Sequence, residues 1–243
     1  MDKRLTLFIL FIMVVSINTI KSQYNFNIST DFQSRYVWRG QALGGTSPSI
    51  QPCMNFNYKG FNANVWGAFS ISNPDYQEID LALSYTFIND IFTLIITDYD
   101  NPTYKKSFNY FNYNKDKTTH ILEGGLLINI PTTNLSLGVY TNFFGNDKKD
   151  SCGNIVYSTY GELKYNFNIE KIKTKFDANL GIAFNDKKNG FYGNDGVECV
   201  NISFGATKNI TFSNSFILPI YSRIISNPAN NKIYLIVGSQ INL

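Results

Sequence analysis

The most constraining stretch of the chain is YNFNISTDFQSRYVWRG, residues 24–40, because it divides cleanly by twos. Tyr24, Phe26, Ile28, Thr30, Phe32, Ser34, Tyr36 and Trp38 fall on one side. Asn25, Asn27, Ser29, Asp31, Gln33, Arg35 and Arg39 fall on the other, with Val37 the apolar exception. Such alternation is the mark of a β-strand with one apolar and one polar face. Read as a single strand at ~3.3 Å per residue, the stretch would reach about 50 Å, well beyond the ~5–6 residues of an ordinary globular strand. A wall that is apolar on one side and wet on the other suits a tilted crossing of a membrane.

The composition points the same way. Charged residues make up 16% of the 243 residues and aromatics another 16%, where a soluble domain carries about 25% charged residues. The formal charge of +3 gives no basic excess for nucleic acid. Part of it sits in the first 22 residues, where Lys3, Arg4 and Lys21 outnumber Asp2. That segment reads as a cleaved signal peptide: Lys3 and Arg4 precede an apolar run from Leu5 to Val15, and Ser22 is a small residue before Gln23. The run is too short for a membrane-spanning helix, which needs roughly 18 apolar residues. The expected division is therefore a leader over 1–22 and one domain over 23–243.

The same alternation recurs to the end of the chain. It predicts strands near 50–58, 61–71, 78–87, 91–98, 118–130, 135–144, 155–168, 172–185, 197–207, 210–223 and 232–243. Short connections (Lys59-Gly60, Asn89-Asp90, 131–134, a turn near Glu170, and Lys208-Asn209) alternate with longer ones at 41–49, 73–75, 99–117, 145–154, 186–196 and 226–231. Alternating short turns and long loops is the pattern of an outer-membrane barrel, whose short turns are periplasmic. Closure leaves no strand edge to expose unpaired backbone groups to lipid. The expected fold is all-β: a transmembrane antiparallel up-and-down β-barrel of about 12 strands in the outer membrane of a Gram-negative bacterium. The expected surroundings are outer-membrane lipid, the barrel assembly machinery during insertion, and small polar solutes. Gly238-x-x-Ile241-x-Leu243 has the spacing of the terminal strand signal that this machinery reads, with Leu243 in place of the usual aromatic.

Ser34-Arg35-Tyr36-Val37-Trp38-Arg39-Gly40, followed by Pro48-Ser49-Ile50-Gln51-Pro52, resembles the N-terminal signature of the TorF-type porin family, also labelled Gcw_chp. Glu78-Ile79-Asp80-Leu81 and Tyr160-Gly161-Glu162-Leu163 resemble its acidic strand motifs. The resemblance implies an exported outer-membrane barrel with pore activity, and it carries over no catalytic residue.

With the polar faces turned inward, the lumen would be lined by Asp31, Arg35, Arg39, Glu78, Asp80, Glu123, Glu162, Lys164, Lys173, Lys175, Asp177 and Arg223. Facing rows of opposite charge would hold water and exclude apolar solutes, making a pore. The same residues could instead pair off and fill a narrow barrel, since eight-stranded barrels are filled and open porins have about 16–18 strands. Arg35 and Arg39 are expected opposite acids such as Glu78 and Asp80. Tyr36, Trp38, Tyr58, Phe61 and Phe87 are expected in the interfacial girdles. The loop aromatics Tyr99, Tyr104, Phe108, Tyr110, Phe111 and Tyr113 could stack on a sugar, form a constriction or pack on one another.

A barrel-embedded hydrolase would need a histidine with a nucleophile near the outer rim. His120 is the only histidine. It shares the parity of Leu122, Leu126 and Ile128 and has no His-x-Ser pattern, so it is expected as a rim residue among aromatics. Cys53, Cys152 and Cys199 are odd in number and make no CxxC, which leaves one bridge or free thiols open. No catalytic, cofactor or metal set emerges. A closed structural or adhesive barrel with ligand-binding loops remains the other class of function.

Overall fold

The structure is a computed structural model that describes residues 24–72, 76–101, 109–115, 117–184, 190–213 and 216–243. The expected leader, Tyr104 and Phe108 lie outside the described residues. Inward-facing and outward-facing positions alternate along the wall strands, as the sequence pattern requires, apart from register shifts that leave Phe143, Val200 and Phe212 without a partner across one pairing. The strands are β1 (Tyr24–Gln33), β2 (Val37–Trp38), β3 (Gln41–Ala42), β4 (Ser49–Tyr58), β5 (Phe61–Ser70), β6 (Gln77–Phe87) and β7 (Phe92–Asp100). They continue with β8 (His120–Asn129), β9 (Leu135–Gly145), β10 (Thr159–Ile169), β11 (Thr174–Phe184), β12 (Val197–Ser213), β13 (Phe216–Asn227) and β14 (Lys232–Asn242). Twelve of them close into one antiparallel barrel, while β2 and β3 form a separate two-stranded hairpin. The seam pairs β1 with β14 from Ser29↔Asn242 to Gln33↔Gly238.

The usual arrangement of a soluble core is reversed. Leu83, Leu94, Val139 and Leu235 point outward with more than half of their surface exposed, at 54%, 54%, 53% and 67%. The interior instead buries Tyr160, Tyr192, Glu123 and Asn142. A closed sheet satisfies its backbone groups strand to strand, so an apolar exterior of this kind is stable in lipid and not in water. The barrel therefore spans a membrane with strands. Near the short-turn end, outward rings run in ladders, Tyr85–Phe87–Phe92 and Tyr165–Phe167–Phe176–Phe204, as expected of an interfacial girdle. Phe61 faces outward at the same end.

Three sequence expectations change. The stretch 24–40 is not one strand: β1 ends at Gln33, and the chain turns back through β2 and β3. Val37 pairs with Ala42 and Trp38 with Gln41, leaving Arg39-Gly40 as the two-residue turn, with φ of 45° and 78°. Two positive φ values are what the tight hairpin turn of type I′ needs, and its twist matches that of the flanking strands. Tyr36 and Trp38 therefore lie inside and not in the lipid girdle. Tyr36 packs on Trp66 and Tyr76, and Trp38 on Tyr99, Phe191 and Tyr192. Lys208-Asn209 is not a turn either. β12 runs through it to Ser213, because Ile210 and Phe212 continue the alternation and Ile210 pairs with Leu218. Finally, Tyr99 belongs to β7 and not to the loop after it. The three cysteines are free.

Candidate functional site

The lumen has two different levels. At the short-turn end the inward positions of β1, β4 and β5 are mostly amides. Asn62 Nδ2 donates to Asn55 Oδ1 at 2.6 Å, and Asn64 Nδ2 to the Cys53 sulfur at 3.0 Å. At the long-loop end the β2–β3 hairpin folds into the barrel and carries Arg39 with it. The tip rests against β12, where a register shift near Gly181/Ile182 leaves Val200 as an extra residue. A Cβ at Gly40 would overlap the Val200 carbonyl, so only glycine fits, and Asn227 Nδ2 donates to the Gly40 carbonyl at 3.1 Å.

Arg39 is the centre of this level. Its Nη2 donates to Glu123 Oε1 at 2.9 Å, its Nη1 bonds the other carboxylate oxygen, and Nη1 also donates to the Tyr192 hydroxyl at 2.8 Å. Its Cζ lies 4.6 Å from the ring centre of Tyr140, 4.5 Å from that of Tyr160 and 4.4 Å from that of Trp38. Tyr99 donates a second hydrogen bond to Glu123 Oε1, at 2.9 Å. Both ends of the ion pair are removed from water, with side chains 10% and 2% exposed. Forked pairing and stacking on aromatic faces are properties of guanidinium that an ammonium lacks. Burial keeps the Tyr192 phenol well above its usual range despite the guanidinium beside it, so it stays a neutral hydroxyl that accepts from Arg39.

Glycines in the wall set the position of these rings. Added Cβ atoms at Gly125 and Gly138 would collide with Tyr140, and one at Gly181 with Tyr160. Gly238 stands in the same relation to Tyr221. Each tyrosine lies flat over a glycine on a neighbouring inward position. Tyr160 is held there by Asn201, whose Nδ2 donates to its hydroxyl at 3.2 Å.

The other expected lumen charges fall into small local groups. Asp31 accepts from Tyr221 at 3.2 Å and Gln240 at 3.1 Å. Glu162 pairs with Lys164, and Asp177 with Arg223 at 3.0 Å. Glu78 accepts from the Tyr76 hydroxyl at 2.7 Å, and Asp80 lies beside it on the same inward parity of β6, almost fully buried. Lys175 sits on β11 opposite Asn168 and Thr207. Lys173 is not on the wall: it caps the turn after Glu170–Ile172 with φ of 50°. Arg35 lies over the Tyr234 ring at 5.6 Å, and Arg39 pairs with Glu123, so neither arginine faces Glu78 or Asp80 as the sequence suggested. Tyr140 and Tyr192 had no assigned role in the sequence, and Tyr99 was expected only as one of the loop aromatics. Tyr140 shares parity with Ser136 and Asn142, and that was the available signal.

A cavity of about 600 Å³ adjoins the hairpin at the long-loop end. Trp38, Tyr99 and Phe191 give it aromatic surface, while Gln41, Glu78 and Asn101 give it polar groups, with Lys148 and Lys149 also on its lining.

His120 lies on the outward face, fully buried under the loop that follows β7. Its Nδ1 meets Asp98 Oδ1 at 2.8 Å and its Nε2 the Tyr110 carbonyl at 2.6 Å, while Tyr113 stacks on the ring at 4.3 Å. Both ring nitrogens are committed to acceptors and neither to a hydroxyl nucleophile. The rim aromatics here pack on the histidine and on each other.

No family model matches the chain, and no curated protein matches it in sequence. Among solved structures it is similar to the KdgM porin in complex with disordered oligogalacturonate, at 9% identity over 88% of this chain and 96% of that one, with a TM-score of 0.48. It is also similar to an outer membrane channel from Pseudomonas putida F1, at 10% identity over 93% and 97%, with a TM-score of 0.43. A mutant porin of Rh. blastica aligns at 9% identity over 91% and 100%, with a TM-score of 0.39.

Proposed function

We propose that this barrel is an outer-membrane channel of the TorF type for small polar solutes, closed at rest by its own β2–β3 hairpin. One observation carries the reading. The inserted hairpin sets Trp38 and Arg39 among Tyr140, Tyr160 and Tyr192 in the outer lumen, with polar groups below it and beside it. Below it lie amides and the charges Asp31, Glu162, Lys164, Asp177 and Arg223; beside it lies the cavity with Glu78, Gln41 and Asn101. A wall of hydrogen-bonding groups favours solutes that exchange water for those groups and excludes apolar ones. Every contact holding the hairpin is non-covalent, so it can be withdrawn without breaking the barrel. Insertion by the barrel assembly machinery, through Gly238-x-x-Ile241-x-Leu243, belongs to the same reading.

The test is conductance in planar bilayers. Wild-type protein should show rare, small steps, and Arg39→Ala should raise the open fraction at least tenfold while the protein remains a heat-modifiable barrel. Silence from both proteins would favour a closed structural barrel whose loops bind partners.

A further inference from the structure

The residues around Arg39 belong to the wall and its loops, not to the hairpin, with the exception of Trp38. Glu123 comes from β8, Tyr140 from β9, Tyr160 from β10 and Tyr192 from the loop before β12. Each also has contacts outside the hairpin, Tyr192 through its carbonyl, which accepts from Asn230 Nδ2 at 3.4 Å. Tyr140 and Tyr160 are laid against wall glycines, Tyr160 is bonded by Asn201, and Tyr99 orients the Glu123 carboxylate from β7. If the hairpin leaves, what remains is a carboxylate with two aromatic faces and a phenol hydroxyl around it. The carboxylate attracts a cation through charge-assisted hydrogen bonds, and aromatic faces select one that is planar and weakly hydrated.

We propose that this cage is a recognition site for guanidinium-bearing solutes, filled in the closed barrel by the chain's own Arg39. The arginine is a tethered competitor. Its forked bond to Glu123 and its stacking on Tyr140 and Tyr160 are the contacts an arriving guanidinium would make. A group on a short tether competes at an effective concentration on the order of millimolar, so an external guanidinium must exceed that level to displace it. As the solute class of the channel this rests on the channel reading; as a binding site it stands on the cage alone.

The decisive experiment is titration of full-length barrel in detergent with methylguanidinium, followed by calorimetry, with methylammonium as the control ligand at matched ionic strength. Arg39→Ala should bind methylguanidinium at least tenfold more tightly than wild type does, and at least tenfold more tightly than it binds methylammonium. Adding Glu123→Gln should abolish that preference. Equal binding by wild type and Arg39→Ala, or a preference that survives Glu123→Gln, overturns the proposal. If Arg39→Ala fails to form a heat-modifiable barrel, Arg39→Lys takes its place, since it keeps the charge but gives up the fork and the stacking; the same two comparisons then decide. Conductance is read separately. Binding without conduction would sink the channel and leave the site, and conduction without binding would do the reverse.

Discussion

Two arginine–carboxylate pairs line the same lumen and do different work. Arg39–Glu123 is enclosed by rings, with side chains 10% and 2% exposed; Arg223–Asp177 is the more open pair, at 40% and 20%. The chemistry of the partners is the same. What differs is the surrounding surface, and that decides the energy. In the enclosed pair, loss of one partner strands a charge in a space that water does not reach. In the open pair, water and salt take over the freed group.

The widest break in that contrast is Glu123→Ala. Removing the buried carboxylate should weaken docking of the hairpin by about 3–5 kcal/mol. Hydrogen exchange at the amides of 37–42 would rise accordingly while the wall strands stay protected; unchanged protection would mean that the ring contacts alone hold Arg39. A smaller effect is expected from Gly181→Ala, which puts a methyl where the Tyr160 hydroxyl lies. Overpacking of this kind costs about 1–3 kcal/mol, and the bond from Asn201 should be lost. The urea midpoint of the folded barrel measures it, and an unshifted midpoint would show that the ring can move without cost. The smallest effect belongs to the open pair. Asp177→Asn should cost under about 1 kcal/mol, and less still at high salt. A salt-independent loss larger than that would place Arg223 in the same class as Arg39.

Much of the barrel was legible because a period of two is a local property of the chain, and the side of the wall on which Asp31, Glu123 or Arg223 lies follows from it directly. Their partners were not legible, because the pairing of inward groups depends on how strands register around a closed ring. Glu123 meets an arginine 84 positions away. The hairpin was hidden for a different reason. Tyr36 and Trp38 keep the alternation of β1, so the turn at Arg39-Gly40 left no break in the pattern; only the glycine marked it. Lys208-Asn209 shows the reverse error, since two polar residues together resembled a turn while Ile210 and Phe212 carried the strand onward. The inward glycines 125, 138, 181 and 238 were visible as gaps in the polar face, but that they seat tyrosines follows only from the neighbouring strands.

Those seats bear on how the calibre of such a passage is set. Strand number fixes the outer circumference of a barrel, yet the clear width inside depends on whether each inward ring lies against the wall or stands across it. Where a tyrosine has a glycine to lie on, it takes up little more than its own thickness. In this barrel, then, bore is adjustable one residue at a time, by exchanging glycine for alanine beneath a ring, with no change to the number of staves.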